Sequence, residues 1–245
     1  MGKIPFVKLN NGVEMPQVGF GTWKIADGAE TERAVAEALR IGYRLIDTAK
    51  YYGNERSVGK AVRESGIPRQ DIFITTKLWP TDFADPRGAF EKSLDQLGVT
   101  YLDLYLIHWP VPAQPRSVWR ALEKIYEEKL ARAIGVSNYG IGDLATFFNA
   151  RYGLGNIKQM LSYAHVPPAV NQIKFSAFDF QEEIMKLCQE SGVVIEAYSP
   201  LARGGQLNDK GLGAIAEKHG KSPAQIMIRW CIQHGTVPIP KSTHP

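Results

Sequence analysis

Asp47, Lys77 and His108 end the apolar runs LID, FITTK and LYLIH, each about 30 residues after the one before. The next such step reaches Ser137 and Asn138 in AIGVSN, and Gln172 in VNQ and Tyr198 in IEAYSP continue the series. A carboxylate, an ammonium and an imidazole at one repeated position are the parts of a proton-transfer site. The stretch IDTAKYYGNE adds two phenols, and spacing alone does not separate Tyr51 from Tyr52. Tyr52 begins a turn that can bring its hydroxyl back over Asp47. A phenol titrates near pH ~10, so a nearby ammonium is needed to make it a ready donor. Lys77 is therefore expected to lower the Tyr52 pKa, with Asp47 keeping Lys77 charged and aimed. His108 would hydrogen-bond a substrate oxygen and orient it. Together these groups suit an oxygen that gains negative charge, as a carbonyl's does on reduction.

Such residues meet only if the chain repeats one unit. VGFGTW, RLIDTA, DIFITTKLW, YLDLYLIHW, RAIGVSN, AVNQIKFS, VVIEAYSPL and TVPIPKS read as eight strands. Amphipathic segments with helical spacing alternate with them, the pattern of parallel βαβ units. Eight units in 245 residues predict a single (β/α)8 TIM barrel over 1–245, with all strand carboxyl ends at one mouth. KLNNGVEMP predicts an N-terminal β-hairpin plugging the barrel floor, because Asn-Gly suits a tight turn. Gly42, Gly66, Gly98 and Gly192 mark helix ends.

The net charge of +4 comes without any dense run of Lys and Arg, so no nucleic-acid partner is expected. No segment has the roughly 18 apolar residues of a membrane span, and MGKIPFVKLNNG lacks the core of a secretion signal, so a cytoplasmic protein is expected. Cys188 and Cys231 read as core filler rather than a disulfide. His165, His219, His234 and His244 show no partner and no metal-ligand spacing, so no metal site is expected. Trp119 and Trp230 read as helix core. Trp23, Trp79 and Trp109 follow strand ends and can wall an apolar substrate pocket together with His108.

The ordered set GFGTW, IDTAKYYGNE, ITTKLW, YLIHWP, GVSN, PAVNQI, AYSPL and IPKS resembles the aldo-keto reductases across nearly the whole chain. The resemblance implies reduction of aldehydes and ketones by hydride transfer from NADPH, with NADH possible. It implies a tetrad of Asp47, Tyr52, Lys77 and His108, with Tyr52 as general acid. It further implies that Ser137, Asn138 and Gln172 hold the nicotinamide carboxamide and that Tyr198 stacks on the ring. Gly21, Thr22 and Asp47 would line the cofactor, Ser199 and Leu201 would meet the pyrophosphate, and Lys241 with Ser242 would reach the 2′-phosphate. No Rossmann fingerprint is present, since GFGTW lacks its third glycine.

The sequence departs from that family in two places. It stops at PKSTHP, where the family continues with an arginine on the 2′-phosphate, an outer eighth helix and a tail. A weaker cofactor grip, an open preference between NADPH and NADH, and an uncovered strand 8 are the expectations. A monomer is expected, with the uncovered strand offering a route to a dimer. Between GVSN and PAVNQ the chain reads as two helices divided at YGLGN, where the family has one. Lys174 and Ser176 stand where the family has an acid and a histidine. A competing expectation, also from the family, is a weakly catalytic cofactor-binding barrel that acts through protein partners, like potassium-channel β subunits.

Overall fold

A computed structural model of the chain describes residues 4–111, 116–140 and 157–243. Strands β1 (Phe6–Lys8) and β2 (Glu14–Pro16) form an antiparallel hairpin. Its turn places Gly12 at φ 88°, a conformation open to glycine without steric cost. Asn10 and Asn11 donate to the carbonyls of Pro168 (3.0 Å) and Arg132 (2.9 Å), and Leu9 and Met15 are buried against Leu45, Phe73, Leu104 and Val170. The hairpin is thus the floor plug that the sequence predicts.

Eight parallel strands follow: β3 (Phe20–Gly21), β4 (Leu45–Asp47), β5 (Phe73–Leu78), β6 (Leu102–Ile107), β7 (Ala131–Ser137), β8 (Val170–Lys174), β9 (Val194–Tyr198) and β10 (Val237–Pro238). Each pairs with the next in sequence. The Gly19 and Gly21 amides donate to the Pro238 and Pro240 carbonyls at 3.0 Å, which ties the first strand to the last. Side chains would not fit there. A Cβ on Gly19 would lie 1.9 Å from the Leu45 side chain, and one on Gly21 would lie 3.0 Å from the Ile239 carbonyl. The glycines of GFG therefore close the barrel.

Helices α1 (Ala29–Arg40), α2 (Glu55–Glu64), α3 (Pro86–Leu97) and α4 (Arg116–Glu127) cover the first half, and α5 (Ile157–Tyr163), α6 (Glu182–Glu190), α7 (Lys210–His219) and α8 (Pro223–Gln233) the second. Their apolar stripes pack outside the strands, with Val35, Leu39, Val58, Val62, Phe90, Leu97, Trp119 and Leu122 in one core. Each such side chain, fully buried, contributes about 1.5–3 kcal/mol. Local chemistry sets the helix starts. Asp85 accepts from Gly88 N, Asp209 accepts from Leu212 N, and Ser222 forms a capping box with Gln225. Gly42, Gly66, Gly98 and Gly192 all have positive φ, as their places at helix ends require.

Several expectations need correction. His165 has partners: its ring lies 2.9 Å from Arg120 and its amide donates to Glu123. His234 packs against Trp230 with centroids 4.0 Å apart and planes tilted by 37°, and Trp230 is only half-buried, unlike the fully buried Trp119. The division at YGLGN lies outside the described residues, and only α5 is seen from that stretch. After β10 the described residues form no helix. Lys241 and Ser242 there, with Leu201 from the segment after β9, line a hollow of about 780 Å³ beside α1 and α8. Among the described residues no helix is long and apolar enough to cross a membrane, and no metal-binding cluster occurs.

Candidate active site

The strand carboxyl ends gather the polar series into one mouth. Asp47 closes β4, and Lys77 lies near the end of β5, where the strand's inward alternation aims it across the barrel interior. Both are almost wholly buried. Lys77 Nζ donates to both Asp47 oxygens at 2.7 Å and to the Thr48 carbonyl at 2.8 Å. The Tyr52 hydroxyl lies 3.2 Å from the same nitrogen.

Tyr52 is placed by the chain around it. Residues Lys50–Tyr52 form a short 3₁₀ turn ending at Gly53, which is left-handed at φ 70°. Asn54, fully buried, accepts from the Thr48 hydroxyl at 2.8 Å and donates to the Thr22 and Ile25 carbonyls. This ties the turn after β4 to the loop after β3. Glu55 begins α2, is buried, and accepts from the Thr76 hydroxyl at 2.6 Å. Neither Asn54 nor Glu55 stood out in the sequence, although both sit in the same short motif as the phenols.

Tyr51 and Tyr52 separate in space. Tyr51 is exposed and stacks on Trp79, with centroids 3.9 Å apart and planes at 15°. Tyr52 turns inward, its ring 5.5 Å from that of His108. Trp79 also packs edge-on against His108 at 4.9 Å. Trp23 lies at the rim beneath the Lys24 ammonium and the Arg203 guanidinium. Trp109 follows His108 and is half-buried.

Burial governs the electrostatics. Part of the Tyr52 residue is open to solvent, yet burial is the largest influence on its hydroxyl. With Asp47 adding to it and Lys77 opposing, Tyr52 is pushed up to about 12. Lys77 does pull Tyr52 down as expected, but the net shift is upward, because desolvation of the phenolate outweighs one ammonium that is already paired with Asp47. Burial also works to lower Lys77, but Asp47, Tyr52 and Glu196 hold it above the usual lysine range, so it stays charged. Burial raises Asp47, and the bonds from Lys77 and Gln172 pull against it. Burial, then Lys77, pushes His108 down to about 2. Its imidazole is neutral, and its Nδ1 is buried without a hydrogen-bond partner among the described residues.

Ser137, Asn138, Gln172 and Tyr198 form a second array beside the tetrad, whereas Leu201, Lys241 and Ser242 line the hollow beside α1 and α8. The Ser137 hydroxyl donates to the Gln172 carbonyl at 2.9 Å, and Asn138 Nδ2 donates to Ser137 Oγ and to the His108 carbonyl. The Tyr198 hydroxyl donates to Asn138 Oδ1 at 2.9 Å. Asn138 and Ser199 are left-handed at φ 65° and 52°, a strained choice that non-glycine residues make at functional sites. The Thr22 amide and hydroxyl both donate to the Asp47 carbonyl at 3.0 Å. Gly21 pairs in register with Asp47. Gln172 Nε2 donates to Asp47 Oδ2 at 2.8 Å and to Glu196 Oε2 at 2.6 Å. Glu196 went unnoticed in the sequence, though it stands two residues before Tyr198 and therefore on the same face of β9.

A model of the Aldo/keto reductase family matches residues 17–245. The chain belongs to that family. A 9,11-endoperoxide prostaglandin H2 reductase of Trypanosoma cruzi is 46% identical over 97% of this chain and 81% of its own length. A glyoxal reductase of Bacillus subtilis is 45% identical over 96% of this chain and 82% of its own. Among solved structures, an aldo/keto reductase from Brucella melitensis superimposes with a TM-score of 0.89 at 44% identity, over 99% of this chain and 90% of that one. A Bombyx mori aldo-keto reductase in complex with NADP gives 0.86 at 34% identity, over 100% and 85%. In this aldo/keto reductase the eight parallel strands and the N-terminal hairpin are those expected from the sequence.

Proposed function

We propose that this aldo/keto reductase reduces aldehydes and ketones to alcohols with NADPH as hydride source. The observation that carries the reading is the single ammonium of Lys77, chelated by Asp47 and 3.2 Å from the Tyr52 hydroxyl. A nicotinamide fits the groups beside it. The Asn138 amide donates to the Ser137 hydroxyl, that hydroxyl is held on the Gln172 backbone carbonyl, and the Tyr198 ring is held to Asn138 through its own hydroxyl. Lys241 offers a cation for a 2′-phosphate. The Bombyx mori structural neighbour, which is a complex with NADP, supports the same choice.

When bound, NADPH supplies a hydride to the carbonyl carbon. His108, neutral, offers a ring N–H that orients the carbonyl oxygen. Tyr52 gives its proton to that oxygen as negative charge develops, and the Lys77 ammonium stabilises the phenolate left behind. Solvent returns the proton. A Tyr52 held near 12 is fully protonated at neutral pH and so always ready to donate. It remains a far stronger acid than the alcohol produced.

A glyoxal reductase relative makes a small reactive dialdehyde the first substrate to try. Loss of NADPH absorbance should be seen with it, and kcat in Tyr52→Phe should fall by about 10²–10⁴-fold while NADPH affinity is kept. Wild-type turnover in that variant would refute the assigned acid. Tight NADPH binding without turnover in the unaltered protein would instead favour a cofactor-binding regulator.

A further inference from the structure

Glu196 is a fully buried carboxyl that the reaction above does not use. It lies on β9 in register with Gln172 on β8, which is in register with Ser137 on β7. Its Oε2 accepts from Gln172 Nε2 at 2.6 Å, and its Oε1 has no hydrogen-bond partner among the described residues. The other proton of the same Gln172 amide goes to Asp47 Oδ2 at 2.8 Å. An amide's oxygen and nitrogen are assigned from their partners, and here the partners allow one assignment. Turned over, Gln172 would set its oxygen between two buried carboxyls and take away the two N–H groups that they now accept from.

We propose that Glu196 is a positioning residue for cofactor binding. With Asp47 it locks the Gln172 amide, spending both N–H groups inward and leaving Oε1 as the acceptor for the carboxamide N–H of a nicotinamide. Asp47 alone does not complete the lock, because its two oxygens are already shared with Lys77 and one Gln172 proton would remain unpaired in the interior. Burial, then Asp47, pushes Glu196 up to about 8. At neutral pH it therefore takes the Gln172 proton without adding a second bare charge beside Asp47. The inference rests on the proposed nicotinamide cofactor, and its test separates the two.

The experiment compares dissociation constants for NADP⁺ and its 3-acetylpyridine analogue, which has an acetyl group in place of the carboxamide and so no N–H to donate. Quenching of tryptophan fluorescence reports both without turnover. The unaltered protein should prefer NADP⁺ by about tenfold, the size of one well-made hydrogen bond. Glu196→Leu should bring the ratio close to one, and Glu196→Gln, which keeps an acceptor, should restore it. If Glu196→Leu does not fold, Glu196→Thr, too short to reach Gln172, should give the same loss of preference. A wild-type ratio in the Leu or Thr variant, or a ratio near one in the unaltered protein, overturns the positioning role. Failure of the unaltered protein to bind either dinucleotide overturns the cofactor reading itself.

Discussion

Lys77 donates to both carboxylate oxygens of Asp47 at 2.7 Å, in a place where the two side chains are 0% and 2% exposed. A buried ion pair has little net effect on stability while intact, because desolvation offsets the attraction. Breaking one partner is a different matter. Lys77→Met, which strands Asp47, should cost about 3–5 kcal/mol, whereas Asp47→Asn combined with Lys77→Met should cost less than that single change. Urea denaturation of the three proteins measures both. A double variant less stable than Lys77→Met would show that the pair is not the coupled unit described.

The pH dependence of the chemical step should follow Tyr52. With the hydroxyl held near 12, its proton is present throughout the neutral range. Single-turnover reduction should then be level from neutral pH to about 9. The reverse oxidation of an alcohol needs the phenolate and should quicken as pH rises. Stopped-flow absorbance of NADPH in each direction is the measurement, and a reductive step that falls through pH 8–9 would contradict the raised Tyr52.

His108 should make the fold acid-sensitive. Burial and Lys77 hold it neutral down to about 2, against an ordinary 6.5, so between those values the unfolded chain binds a proton that the fold does not. Stability is therefore complete above about 6.5 and falls as the pH drops below it. Denaturant midpoints from pH 7 to 4 should decline, and the decline should be shallower in His108→Gln.

Glu196 works in the opposite direction. Facing Asp47 from β4 and Lys77 from β5, it keeps its proton up to about 8 against an ordinary 4.5, so the fold holds a proton that the unfolded chain has lost. Its contribution diminishes as pH rises from 4.5 towards 8. Glu196→Gln, uncharged at every pH, should raise Tm by about 3 °C or more at pH 8 and change it little at pH 4.5. A Tm gain of equal size at both pH values would show that the side chain is not titrating.

How far the site could be read in advance depended on the kind of signal. Asp47, Lys77 and His108 were legible because a strand end is a local feature that recurs once in each βα unit, and a barrel stacks those ends at one mouth. Asn54 and Glu55 were not, because their work is to satisfy backbone and hydroxyl groups of the chain around residues 22–25, 48 and 76, which sequence order does not place beside them. Glu196 fell between. Its alternation with Tyr198 was visible, but its pairing with Gln172 depends on the register of β8 against β9.

The amino-acid order by itself determined the eight-fold repeat, the glycine-marked helix ends, the floor hairpin and the set of polar groups brought to one opening, since each follows from periodicity or from the backbone freedom of single residues. Only the tertiary structure decided that Tyr51 stacks on Trp79 at the rim and that burial pushes Tyr52 up rather than down. It also decided that a second carboxyl stands behind Gln172. Those outcomes depend on how much water surrounds a group and which remote strands press against it, quantities that exist only once the barrel has closed.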